Sequence, residues 1–200
     1  MNCVCRQGKD LLGQPCRQTE ERRLCLAIRG TARGAIARGM GQEVSREEAL
    51  ALLDRAEREG LVVQPSNTKK AMFICFCCGC CCGMLGAAKE FPRPSEYLRS
   101  NYFAAVDPNL CNDCQTCRAR CPMDALSAKD GVAAVDLDRC IGCGLCVSTC
   151  PTGALHLVAK ERPVVPPADR DALYLKILRE RYGLLETARL IGKTLLGVKI

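Results

Sequence analysis

Two stretches of twelve residues, CNDCQTCRARCP at 111–122 and CIGCGLCVSTCP at 140–151, decide the fold of this 200-residue chain. Both follow the pattern C-x2-C-x2-C-x3-C-P, and the second lies 29 positions after the first. The similarity extends upstream, where residues 105–107 and 134–136 both read Ala-Val-Asp. A repeat at a fixed offset predicts two copies of one supersecondary unit. Each copy reads as a short strand, a cysteine loop, one or two helical turns and a returning strand, which predicts a pseudo-twofold α+β domain over residues 104–158.

The spacing of the eight cysteines in this repeat predicts two iron–sulfur clusters. Two-residue spacers let one loop present three thiolates to one cluster, whereas the fourth cysteine follows a longer spacer and precedes a proline. The fourth cysteine is therefore expected to bind the other cluster. The predicted ligands are Cys111, Cys114, Cys117 and Cys150 for cluster 1, and Cys140, Cys143, Cys146 and Cys121 for cluster 2. Zinc is disfavoured for these eight cysteines, because zinc fingers and ribbons use two separated ligand pairs.

The two cysteine loops differ at the positions between their ligands. The second loop has Gly142 and Gly144, which permit positive φ angles and a close approach of backbone N–H groups to the sulfurs. The first loop has Asp113 and Gln115 at the matching positions. We therefore expect the two clusters to differ in reduction potential.

Residues 104–158 resemble the bacterial-type dicluster ferredoxins, and the two complete ligand runs carry the resemblance. The resemblance implies two [4Fe–4S] clusters and outer-sphere electron transfer. Four cysteine ligands on each cluster leave no iron position open to a substrate. The sequence therefore predicts an electron carrier or electron-transfer subunit that works with a redox partner protein, rather than an enzyme.

Ten further cysteines lie before residue 100, of 18 in the whole chain. So many would indicate disulfides in a secreted protein, but the chain opens MNCVCR without the apolar stretch of an export signal. We therefore expect reduced thiols, a cytoplasmic location and at least one additional iron–sulfur cluster, a third or a fourth. Adjacent cysteines are expected to point apart and seldom to serve one cluster. The candidate ligands of a third site are Cys5, Cys16, Cys25, Cys75, Cys77, Cys78, Cys81 and Cys82. The alternative is that some of these are redox-active thiols or small buried residues.

The whole chain also resembles a poorly characterised group of ferredoxin-like proteins from anaerobic bacteria. In that group a C-x-C-R start, a second pair of cysteines, a helix ending in Gly-Leu-Val and a C-x-C-C-x-x-C-C segment precede the dicluster domain. The matching residues here are Cys3-Val4-Cys5-Arg6, Cys16 with Cys25, Gly60-Leu61-Val62, and the run from Cys75 to Cys82. Phe76 stands where a polar residue is usual in the group.

Residues 1–100 are predicted to form a cysteine-rich, mainly helical region. A capping box of Ser45 and Glu48 begins the clearest helix, which is expected to end at Gly60 and lead into a short strand. The stretch 71–88 has 18 positions without a charge, but six of them are cysteines. We interpret it as a cysteine-rich loop and a short helix, not as a membrane span.

Residues 166–200 are predicted to form an amphipathic helical tail, which Gly183 divides into two helices. The apolar positions at helical spacing are Leu173, Ile177, Leu184, Ala188, Ile191, Leu195 and Val198. Such a tail suits docking to a partner protein, packing against residues 30–60, or contact with a membrane surface.

Two other classes of function remain open at this point. The formal net charge of +7 and the arginines of the N-terminal region favour nucleic-acid binding, but interspersed glutamates dilute that surface. A redox enzyme subunit with an N-terminal cluster that acts on thiols or disulfides is the other alternative. No recognisable set of nucleophile and base residues supports it.

Overall fold

The N-terminal cysteines lie on and around a small antiparallel sheet in the computed structural model, which describes residues 1–197. The sheet has the order β1-β3-β2, with β1 at Cys25–Ala27, β2 at Val62–Pro65 and β3 at Phe73–Cys77. Five helices accompany these strands in the first hundred residues. They are α1 (Val4–Leu11), α2 (Arg29–Ala37), α3 (Arg46–Glu59), α4 (Gly83–Lys89) and α5 (Pro94–Tyr97).

Helix α3 begins and ends as the sequence predicts. The Ser45 hydroxyl accepts a hydrogen bond from the Glu48 N–H at 3.1 Å, and the Glu48 carboxylate accepts one from the Ser45 N–H at 2.7 Å. These two bonds satisfy N–H groups that have no partner within the helix. Gly60 ends the helix with a φ of 73°, a left-handed conformation that glycine adopts without steric cost. Ala56 lies on the buried face of α3.

The interpretation of residues 71–88 was right for the short helix α4 and wrong for the segment before it. Phe73–Cys77 forms β3, the central strand of the sheet, rather than a loop. The side chain of Phe76, which lies on this strand, is fully buried. Phenylalanine has a high β propensity and suits this position. The N-terminal region therefore combines its five helices with a small three-stranded sheet. No helix within residues 1–197 has the length and apolar character needed to cross a membrane.

The repeat forms two small antiparallel pairs of strands. These are β4 (Tyr102–Val106) with β7 (Leu155–Ala159), and β5 (Leu126–Lys129) with β6 (Val132–Val135). Strands β4 and β5 belong to the first copy, and β6 and β7 to the second, so each copy pairs with the other. A short helix, α6 (Thr116–Arg120), follows the first cysteine loop.

The same hydrogen bond recurs in both copies. The Asp107 N–H donates to the Ala154 carbonyl, and the Asp136 N–H donates to the Ala125 carbonyl, both at 2.8 Å. Asp107 and Asp136 occupy equivalent positions in the 29-residue repeat, and so do Ala125 and Ala154. The repeat in the sequence is thus a repeat in backbone structure, with α+β character in each half.

The segment that contains the repeat shares its hydrophobic core with the N-terminal region. Leu85 and Ala88 of α4 are buried together with Met123, Leu126 and Leu155 in one cluster. A second cluster lies between α3 and the sheet. Its buried members are Leu24, Ala56, Leu61, Phe76, Cys78 and Cys81.

The tail consists of α7 (Arg170–Leu195), which is interrupted at Gly183, where φ is 76° and ψ is 173°. The N–H groups of Lys69 and Lys70 donate to the Pro167 and Ala168 carbonyls, at 2.8 and 3.0 Å, and tie the start of the tail to the β2–β3 loop. Leu184 and Leu185 are exposed, at 70% and 90%. Val198 of the apolar face lies outside the described residues.

The capping box offers a direct test of the α3 boundary. Glu48→Ala removes the carboxylate that accepts from the Ser45 N–H, whereas Glu47→Ala removes a first-turn carboxylate that makes no such bond. We expect Glu48→Ala to lower the free energy of unfolding by about 0.5–1 kcal/mol more than Glu47→Ala. Urea unfolding followed by circular dichroism measures the difference. Equal effects would mean that only the charge near the helix N-terminus matters.

Candidate metal centres

The eight cysteines of the repeat line two separate cavities. Cys111, Cys114, Cys117 and Cys150 line one cavity, which we call cavity 1. Cys121, Cys140, Cys143 and Cys146 line the other, which we call cavity 2. Each cavity therefore combines three cysteines of one run with the fourth cysteine of the other run. These are the two groupings that the sequence predicts.

Left-handed backbone at matching positions shapes both cysteine loops. Gly142 and Gly144 have φ angles of 64° and 80°, and Asp113 and Gln115 have φ angles of 52° and 59°. The first loop therefore adopts the same conformation as the second, although its residues carry side chains that make a positive φ costly.

Glycine is also required at position 142 because there is no room for a side chain there. A Cβ atom at Gly142 would lie 2.1 Å from the backbone oxygen of Tyr102, a distance that no side chain tolerates. The second loop can therefore pack against β4 only with glycine at this position.

Backbone N–H groups point at the cysteine sulfurs in both cavities. The Ala133 N–H donates to the Cys111 sulfur at 3.4 Å, and the Ala104 N–H donates to the Cys140 sulfur at 3.5 Å. These two hydrogen bonds join equivalent residues of the two copies of the repeat. A third N–H, that of Ala125, donates to the Cys121 sulfur at 3.3 Å. Such donors stabilise negative charge on sulfur, so the cavities fit thiolate ligands of a metal cluster.

The two cavities differ in their exposure to water. Cavity 1 has polar residues in its wall, including Asn112 and Thr116, and the Cys114 side chain is exposed. Its hydrogen bond with the Thr116 hydroxyl lowers the pKa of Cys114.

Apolar residues line most of cavity 2, among them Met123, Leu126 and Ile141. Burial raises the pKa of Cys143 to about 11 and that of Cys146 to about 12. Cavity 2 is therefore the drier of the two sites.

Four cysteines of the N-terminal region form a third, tighter group. The Cys16 sulfur lies 3.6 Å from that of Cys78 and 3.7 Å from that of Cys80, and the sulfurs of Cys80 and Cys81 are 3.7 Å apart. All four sulfurs lie within 4.8 Å of one another. Cys16 follows α1, and the other three occupy the turn between β3 and α4.

Arg6 lies beside this group and is only 1% exposed. Its Nη2 donates to the Phe76 carbonyl at 2.9 Å, whereas its Nε and Nη1 have no hydrogen-bond partner among the described residues. Burial acts to raise the pKa of Cys16, but hydrogen bonding from the Gln18 backbone and the nearby positive charge of Arg6 together lower it to about 6. Burial raises the pKa of Cys78 to about 11.

The remaining candidate cysteines of the N-terminal region are divided between two places. Cys25 faces Cys75 across the β1–β3 pair, and Cys77 lies two residues further along β3. Interaction with Cys77 is the main influence that lowers the pKa of Cys82 to about 6. Cys5 lies on α1 and is not a member of the tight group.

The sequence analysis missed Cys80 as a member of the tight group. The candidate set contains Cys78 and Cys81 but not Cys80, and adjacent cysteines were expected to point apart, as they do along a strand. Cys80 and Cys81 lie in a turn instead, where neighbouring side chains can converge. The signal that could have found Cys80 is Gly79, a turn-forming residue between two cysteines.

Residues 104–162 match the family of 4Fe-4S dicluster domains. This segment is therefore a dicluster ferredoxin-type domain, and its cofactors are iron–sulfur clusters. The match begins at the residue that the sequence analysis proposed and ends four residues beyond its limit. No curated protein matches the chain.

A glycine substitution tests the packing of the second loop. We expect Gly142→Ala to lower the free energy of unfolding by about 1–3 kcal/mol more than Gly131→Ala, because the new methyl would overlap the Tyr102 backbone. Gly131 is the matched control, since its φ is also positive, at 78°, but a Cβ there would meet nothing within 4 Å. Thermal unfolding of the cluster-containing protein measures both effects. Equal losses of unfolding free energy in the two variants would show that the Tyr102 backbone moves to make room for the new methyl group.

Proposed function

We propose that this protein is a cytoplasmic electron carrier that holds two [4Fe–4S] clusters in residues 104–158 and exchanges single electrons with a partner oxidoreductase. The observation that carries the proposal is the pair of four-cysteine cavities, each built from both ligand runs. A [4Fe–4S] cluster supplies one-electron exchange when bound. The chain supplies the ligands, the hydrogen bonds to their sulfurs and the separation of the two sites.

The proposed ligands of cluster 1 are the four cysteines of cavity 1, and those of cluster 2 are the four cysteines of cavity 2. Support comes from the N–H donors at the Cys111, Cys121 and Cys140 sulfurs. Further support comes from the spacing of the sulfurs. Among residues 1–197, no three cysteines of the repeat have sulfurs all within 4.8 Å of one another, so each set surrounds a volume larger than a single ion.

The ligand sets favour a carrier over an enzyme. Each set offers four thiolates, which is the full complement for a [4Fe–4S] cluster with cysteine on every iron. The protein would then have no iron position at which to bind and transform a substrate.

The two proposed clusters are held close together by one helical turn. Cys117 lines cavity 1 and Cys121 lines cavity 2, and α6 connects them. Four residues of helix correspond to about 6 Å along its axis. This short connection suits electron exchange between the two sites.

Cavity 1 is the proposed point of exchange with the partner, because the Cys114 side chain is exposed there. The loop around it carries Asp113, and residues 105–159 contain more acidic than basic side chains, in contrast to the positive charge of the whole chain. A partner that meets this face is expected to present basic residues.

Paired cysteine variants test the exchange of ligands between the runs. Cys111→Ala with Cys150→Ala removes two ligands of one proposed cluster, so we expect about four of about eight irons per chain to remain. Cys140→Ala with Cys150→Ala removes one ligand from each cluster and is expected to leave far less iron. Iron and acid-labile sulfide are measured on protein purified without oxygen. If each run served a single cluster, the two results would be reversed.

The difference in exposure predicts the order of the two reduction potentials. Reduction adds a negative charge to a site that already holds four thiolates, and an apolar surrounding disfavours that charge. We therefore expect the cluster of cavity 1 to have the higher potential.

A threonine variant assigns the potentials to the cavities. Thr116→Val removes the hydroxyl that lies 3.5 Å from the Cys114 sulfur, so we expect it to lower the higher of the two potentials by about 20–60 mV. Thr149→Val is the control, because the Thr149 hydroxyl donates to backbone carbonyls. Redox titration followed by electron paramagnetic resonance measures both potentials. If Thr116→Val shifted only the lower of the two potentials, the expectation that the cluster of cavity 1 has the higher potential would be wrong.

A further inference from the structure

The tight group of Cys16, Cys78, Cys80 and Cys81 differs in kind from the two cavities. Three of its sulfur–sulfur distances are 3.6–3.7 Å, and no pair exceeds 4.8 Å. It is the one set of three or more His, Cys, Asp or Glu ligand atoms within residues 1–197 that lies so close together. The eight cysteines of the repeat stay further apart, around their cavities.

These distances indicate how many metal atoms the group can surround. A zinc–thiolate bond of about 2.3 Å in a tetrahedron places its sulfurs about 3.8 Å apart. The distances of the Cys16–Cys78, Cys16–Cys80 and Cys80–Cys81 pairs agree with that value to within a few tenths of an ångström, and the other three pairs lie within 4.8 Å. An iron–sulfur cluster would need room for several metal atoms between the thiolates, and the group has none. The expectation of a third iron–sulfur cluster therefore does not fit these four residues.

We propose that Cys16, Cys78, Cys80 and Cys81 bind a single Zn²⁺ ion. Four thiolates in a tetrahedron are the ligand set of structural zinc sites. A tetrahedral set of four thiolates suits Zn²⁺ by its geometry and ligand type, and for a given site Zn²⁺ binds more tightly than Fe²⁺. With four protein ligands the site is closed, and its role is structural.

The buried charge of Arg6 is a second, independent observation that favours a metal here. Four thiolates and one divalent ion carry a net charge of 2−, which is costly to bury without a counter-charge. The Arg6 guanidinium supplies one, since it is buried beside Cys16 and Cys78 and two of its nitrogens have no partner among the described residues. A buried arginine with unpaired nitrogens is otherwise unfavourable.

The position of the group explains what a zinc ion would hold together. It joins the segment after α1 to the turn between β3 and α4, beside the cluster of Leu24, Leu61 and Phe76. Gly79, between two of the ligands, packs against Pro122, and a Cβ on Gly79 would lie 3.1 Å from the Pro122 oxygen. The zinc site therefore shapes the turn that contacts the end of the first ligand run.

The test begins with the unaltered full-length protein, purified without oxygen. Zinc and iron are counted separately by mass spectrometry, and the zinc environment is measured by X-ray absorption. We expect about one zinc per chain with four sulfur neighbours at about 2.3 Å. This measurement needs no variant, so it stands even if removal of a ligand prevents folding.

Cysteine variants then locate the ion. Cys16→Ala and Cys80→Ala are expected to lose the zinc and to keep about eight irons per chain. Cys5→Ala is the matched control, because Cys5 lies on α1 outside the group, and it is expected to keep both metals. The proposal is overturned by about twelve irons and no zinc in the unaltered protein, by nitrogen or oxygen ligands on the zinc, or by zinc that persists when Cys16 and Cys80 are both replaced.

Discussion

Each cavity of the dicluster segment is lined by cysteines of both runs, and this sharing is the constraint on which the segment depends. Cys121 must reach the loop of the second run, and Cys150 must reach the loop of the first. Neither copy can meet this requirement alone, so the strands pair between copies, and equivalent hydrogen bonds at Asp107 and Asp136 fix the register. A chain with no Trp and only eight Phe and Tyr residues has few large side chains for a core. Metal ligation is therefore expected to take a larger part in its stability.

Two ways of arranging thiolates occur within this one chain. In the repeat, two-residue spacers and left-handed positions such as Gly142 and Asp113 open the loop and hold the sulfurs apart around a cavity. In the N-terminal region a single turn brings three sulfurs together, and Cys16 completes the group from a distant segment. The backbone between the cysteines, rather than their number, thus determines the size of the site that they can form.

The sequence predicts the dicluster segment well, because its information is local and repeated. The ligand runs, the glycines of the second loop and the α3 capping box each act over a few residues. The sequence analysis treated Asp113 and Gln115 as a difference between the loops, yet the repeat imposes on them the same positive φ.

The short strand expected after Gly60 is present as β2, but the rest of the N-terminal sheet and its pairing were not predictable in the same way. Its strands have three to five residues, too few to show a period, and Cys25 pairs with Cys75 fifty positions later. Cysteines also occupy positions where hydrophobic residues would reveal the pattern. Cys80 escaped notice because the orientation of a side chain in a turn depends on φ and ψ angles that composition does not specify.

The core shared by α4 and the dicluster segment has a consequence for the order in which the chain is built. Leu85 and Ala88 leave the ribosome well before their neighbours Met123 and Leu126, and Leu155 follows seventy positions after Leu85. Until that last strand is made, the cluster around α4 is incomplete. The two regions are therefore separate in sequence but not in assembly, because the packing of α4 is completed only after the second ligand run, whereas the cluster between α3 and the sheet needs N-terminal residues alone.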